Sequence, residues 1–140
     1  MTGSIPGKGK NILLVAVGGA AGALARSGLD AAIPAPASGF PLGILLVNLA
    51  GCLLLGWLLG GGAAAVKLPA EATLLLGTGL MGAFTTMSTF SVQLLRLLES
   101  GQHLSALAYI ACSLIGGLLL SWGGLWLGRK STPLREADRR

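Results

Sequence analysis

Charged residues are missing from four long stretches of this chain, residues 11–25, 31–66, 72–95 and 100–128, and no other feature narrows its fold as much. Crossing a bilayer takes roughly 20 mostly apolar residues in a helix. The last three stretches are long enough alone, and the first is long enough once it takes in Arg26. Together they occupy most of the 140 residues and leave no room for a soluble domain beside them. Only 11% of the residues are charged, against about 25% in soluble domains. A globular enzyme, a secreted disulfide scaffold and a disordered tail protein are thereby excluded. The expected class is an all-α membrane protein with four transmembrane helices.

Breakers between the stretches set the expected helices at about residues 11–31, 41–62, 71–99 and 104–127. Pro34, Pro36, Ser38 and Gly39 make the first connector, and Pro41 suits a first helical turn. Gly60, Gly61 and Gly62 end the second helix, and Lys67 and Pro69 mark the next connector. Residues 1–10 form a short arm and residues 129–140 a basic tail. Lys8 and Lys10 before an apolar run, then Ala23-Leu24-Ala25, resemble a cleavable secretory signal. A retained helix is the expectation, because three further spans follow it.

With four spans, Lys8, Lys10, Lys67, Arg129, Lys130, Arg135, Arg139 and Arg140 fall on one face and only Arg26 and Arg96 on the other. The positive-inside rule then puts both termini in the cytoplasm of a multi-pass protein of the cell membrane. The same placement explains the net charge of +5 without nucleic acid, since no aromatic platform accompanies it. Cys52 and Cys112 sit inside apolar runs with no CxxC and are expected as small buried side chains.

Some residues are out of place in hydrocarbon. Gly18 and Gly22, Gly56 and Gly60, and Gly124 and Gly128 are spaced for close helix approach. Four such helices enclose little interior, so a dimer is expected. Arg26 is the one strong charge at hydrocarbon depth, either a functional intramembrane charge or one that snorkels to the interface, and in both cases an arginine at a pore mouth raises the local anion concentration. Asn48 is the lone amide of the second helix, either an interhelical hydrogen bond or a donor to a passing anion. From Gly82 to Ser91, glycines and hydroxyls crowd the centre of the third helix. Backbone freed from helical bonding is tolerated there only where it lines a cavity or binds an ion, and freed carbonyls suit a hard cation such as Na⁺. Met87 and Phe90 share a helical face flanked by Ser88 and Thr89. Tyr109 and Ser113 form a hydroxyl stripe on the last helix. Asp30, Glu71 and Glu99 all fall at helix ends, so the intramembrane carboxylate of a proton-coupled exporter is missing. His103 borders a loop, and no catalytic constellation forms around it.

Three segments, Gly18 to Arg26, Gly43 to Gly51 and Gly82 to Ser91, together resemble the Fluc family of fluoride channels, and the likeness runs through all four helices. The resemblance implies a passive channel exporting toxic fluoride, an antiparallel dual-topology dimer with two pores, and an interrupted third helix. It implies a structural Na⁺ held by the backbone carbonyls of Gly82 and Thr85, and fluoride meeting Asn48. Met87 and Phe90 match the family's phenylalanine pair, Tyr109 and Ser113 its polar track, and Arg26 the arginine of its first helix. Phe90 can meet fluoride with its positive ring edge. The chain departs from the pattern at Met87, Ala83, Cys52 and Gly117. Its charge asymmetry leaves two pairings open, a homodimer that tolerates the bias or a heterodimer with an inverted paralogue. A multidrug-type four-helix exporter and a non-conducting accessory subunit are the competing readings.

Overall fold

The computed structural model describes residues 7–34, 36 and 38–131, and every regular element among them is helical. The arm before residue 7 and the tail after residue 131, with Arg135, Arg139 and Arg140, lie outside the described residues. The helices are α1 (Lys8–Ala32), α2 (Leu42–Ala65), α3 (residues 70–84), α4 (Met87–Glu99) and α5 (His103–Ser131). Three of them, α1, α2 and α5, are long and apolar enough to cross a bilayer.

Helix ends depart from the expected ones in a consistent way. α2 runs through its glycine triplet because Gly61 alone leaves helical geometry (φ 111°), in a widened turn over Leu58–Gly62, and the helix resumes as far as Ala65. α5 continues past Arg129 and Lys130 to Ser131, and cations are favourable in a last turn, where they face the free carbonyls. Between α3 and α4 the chain leaves the helix for two residues: Thr85 (ψ 151°) and Thr86 (φ −148°, ψ 127°) are extended.

Glycine spacing decides which helices meet. Gly56 and Gly60 of α2 face Gly124 and Gly128 of α5 so closely that an added Cβ at any of the four would run into backbone of the other helix. Gly18 and Gly22 of α1 press in the same manner on α3 at Leu75, Gly79 and Leu80. All three spaced pairs are therefore used in packing within one chain, by the close backbone approach that drives helix association in lipid. The side-chain core divides in two, Leu45, Phe90, Leu97, Ala106 and Tyr109 in one cluster and Val47, Met81 and Phe84 in the other. Leu24, Leu104 and Leu118 are among many large apolar side chains left on the outside. Cys112 is exposed as well, contrary to its expected burial, while Cys52 is half-buried.

Candidate functional site

Leaving the helix at Thr85 and Thr86 releases backbone groups that must bond elsewhere. The Thr86 N–H donates to Asn48 Oδ1 at 2.8 Å, and Asn48 Nδ2 donates back to the Thr86 carbonyl at 3.1 Å. A carboxamide can hold one backbone unit in this way because it carries donor and acceptor side by side. The Thr86 hydroxyl oxygen caps α4 by accepting the Thr89 N–H at 3.2 Å. It also donates to Thr89 Oγ1 and lies 3.2 Å from Ser88 Oγ. Arg26 Nη1 of α1 donates to the same Thr89 Oγ1 at 3.4 Å. Asn48, Thr86, Thr89 and Arg26 thus form one polar chain across α2, the break, α4 and α1.

Two consequences follow from counting donors. Thr89 Oγ1 already accepts twice, so its own O–H is a donor with no partner among the described residues, and the second N–H of Asn48 is another. Conversely, in an unbroken helix the Gly82 carbonyl would accept from the Thr86 N–H and the Thr85 carbonyl from the Thr89 N–H. Both donors are diverted, to Asn48 and to Thr86 Oγ1, so both carbonyls lose their helical partner. Among the described residues no three His, Cys, Asp or Glu side chains come together.

Two clefts flank the chain. A groove of about 360 Å³ is lined by Asn48, Gly51, Cys52, Leu55, Thr85, Thr86, Met87, Phe90, Ser113, Leu114 and Ser121. A second cleft of about 300 Å³ is lined by Arg26, Ser27, Asp30, Ala31, Ile44 and Thr89. Arg26 Nε is buried there without a hydrogen-bond partner among the described residues, a costly state for a charged group unless an anion or water meets it. The candidates are accordingly divided. Asn48, Met87, Phe90 and Ser113 line the groove, Arg26 and Thr89 the second cleft, and Ser88 stands exposed beside Thr86.

Met87 and Phe90 line the same groove but differ in burial: Met87 is 73% exposed and Phe90 only 9%. Phe90 is held by Tyr109, whose ring lies 4.8 Å away and tilted by 32°, with Phe40 edge-on to Tyr109 at 5.7 Å. Tyr109 is wholly enclosed, and its hydroxyl donates to Gln93 Oε1 at 3.0 Å. Tyr109 therefore supports Phe90 from behind, while Ser113, one turn on, reaches the groove wall. Gln93 was not singled out from the sequence, although a lone amide one turn after Phe90 in an apolar helix was the available signal. It lines a third cleft of about 350 Å³ with Arg96, Ser100 and Gln102.

Residues 13–125 match the family model described as CrcB-like protein, Camphor Resistance. The chain is 43% identical over 121 residues to a fluoride-specific ion channel FluC of Nitratidesulfovibrio vulgaris, covering 86% of this chain and 98% of that one. It is 47% identical over 120 residues to fluoride-specific ion channel FluC 2 of Moorella thermoacetica, covering 85% and 96%. Against fluoride-specific ion channel FluC 1 of Geobacillus kaustophilus the figures are 43% over 117 residues, 84% and 97%.

Proposed function

Because the chain belongs to the CrcB-like family, we propose that it is a fluoride-specific ion channel that lets F⁻ leave the cell passively and so lowers its toxicity. It is a multi-pass membrane protein and not an enzyme. At the level of the site one observation carries the reading: two donors without partners among the described residues, the second N–H of Asn48 and the O–H of Thr89, sit on one hydrogen-bonded chain. Fluoride is small and strongly hydrated, so a path through lipid must replace its water with donors. Phe90 adds a positive ring edge, and the N-terminus of α4 adds the positive end of a helix dipole. Arg26 concentrates the anion at one mouth. No acidic side chain lines the groove that holds Asn48, which speaks against a proton-coupled exporter. Conduction needs contacts that admit the ion without trapping it, and Met87 in the groove wall replaces a second ring with an uncharged thioether.

On this reading α3 and α4 are the two halves of one interrupted span, and their junction is where the structural Na⁺ belongs. The carbonyls of Gly82 and Thr85, deprived of their helical donors, fit a hard cation. Two oxygens are too few for it, so the remaining ligands come from an antiparallel second subunit. That subunit is another copy or an inverted paralogue. The numbered names of relatives suit a family with several copies. Lys8, Lys10, Lys67, Arg129 and Lys130 gather at the end where α1 starts and α5 stops, while Arg26 and Arg96 lie toward the other. This bias supports cytoplasmic termini in the chain considered alone.

The decisive measurement is fluoride release from liposomes that hold only this chain. Rapid release that does not depend on chloride is expected. Vesicles that retain their fluoride would reduce the chain to an accessory subunit. A cysteine placed near the end of α5 and labelled from each side in whole cells tests orientation. Labelling from the cytoplasm alone is expected for a paired paralogue, whereas labelling from both sides would exclude a fixed orientation.

A further inference from the structure

Away from the polar chain, a groove of about 350 Å³ opens between the end of α2 and the start of α3. Leu58, Leu59 and Leu74 make its walls apolar, with Thr73 and Gly77 alongside. Its rim is Ala70, three residues after Lys67, which turns the connector in left-handed geometry (φ 55°). Glu71 beside that rim is already paired with Lys10 of α1 at 3.2 Å. Lys67 is exposed and has no ion-pair partner among the described residues. The same end of the molecule carries Lys130, whose ammonium lies 3.9 Å over the exposed Trp126 ring, an amphipathic pairing suited to the headgroup level.

We propose that this groove seats an acyl chain of an anionic glycerophospholipid whose phosphate pairs with Lys67. An apolar slot inside a bilayer does not by itself prefer one lipid over another, because lipid tails are as apolar as leucine. Selection therefore falls to charge near the groove: Lys67, exposed in the connector three positions before the lining residue Ala70, complements a negative headgroup, and Glu71, already paired with Lys10, does not oppose it. The groove supplies depth and the lysine supplies the choice.

The intact chain in detergent, offered phosphatidylglycerol or phosphatidylcholine with identical acyl chains, tests this by native mass spectrometry of the lipid it retains. Preferential retention of phosphatidylglycerol is expected. Lys67→Gln should lower it about fivefold, the worth of one basic residue near an anionic surface, and leave phosphatidylcholine unchanged. Gly77→Leu should lower retention of both lipids, since a Cβ at Gly77 meets nothing within 4 Å and the new side chain has open groove to fill. Equal retention of the two lipids by the unmodified chain would overturn the proposal, as would phosphatidylglycerol retention unchanged in both variants. Displacement of the lipid by millimolar inorganic phosphate would assign the rim to a free anion and overturn it too. The readout counts bound lipid and not fluoride, so its failure is separable from failure of the channel reading.

Discussion

Asn48→Asp is expected to slow fluoride release from liposomes by at least about 100-fold, with the protein still folded. The carboxylate keeps an acceptor for the Thr86 N–H but loses the donor that now meets the Thr86 carbonyl at 3.1 Å. That carbonyl is left unsatisfied at a cost of about 1–3 kcal/mol. More important for conduction, the second N–H of Asn48 disappears and a negative charge takes its place on the groove wall. A barrier raised by about 3 kcal/mol already slows passage by two orders of magnitude, and repulsion between like charges in a low-dielectric groove adds to it. Efflux from the variant equal to that of the unmodified chain would remove Asn48 from the path and leave it the packing role of any interhelical amide.

Gly124→Val is the second large effect, and here the loss is of the fold itself. A Cβ at Gly124 runs into the Leu53 carbonyl and crowds the Trp57 amide, and backbone of this kind cannot move aside as a side-chain tip can. Overpacking costs about 1–3 kcal/mol where side chains can adjust, so this value is a lower bound. Separation of α2 from α5 would also pull apart the groove, which takes Asn48 and Cys52 from one helix and Ser113 and Ser121 from the other. The expected result is loss of the monodisperse peak in size-exclusion chromatography together with loss of efflux. Gly123→Val is the matched control, because a Cβ there meets nothing within 4 Å. If the two variants behave alike, close approach at Gly124 does not hold the helix pair together.

Much of the site was legible in advance because hydrocarbon makes polar residues conspicuous. Asn48, Arg26 and the hydroxyl run after Gly82 stand out in the sequence for the cost of placing them in lipid, and all of them belong to one polar chain or border it. Gln93 is inconspicuous in the sequence because Arg96 and Glu99 follow within two turns, and its partner Tyr109 lies 16 positions away. The 3.6-residue period puts Met87 and Phe90 on one face, yet it does not tell that Tyr109 would close over Phe90 and leave Met87 outside. Likewise, the stripe from Tyr109 to Ser113 is correct as a spacing, but the hydroxyl of Tyr109 turns to Gln93 and not to the groove.

By itself the sequence determined the class of protein, the number of apolar stretches and the glycine spacings that let helices touch. These follow from hydrophobic run length and from the small size of a residue, both properties of a segment alone. Only the tertiary structure decided which donors remain without partners, because that depends on residues far apart in the chain. Asn48 and Thr86 are separated by 38 positions and Arg26 and Thr89 by 63. A hydrogen bond across such separations is made or missed within a few tenths of an ångström, a tolerance set by how the helices pack and not by any local pattern.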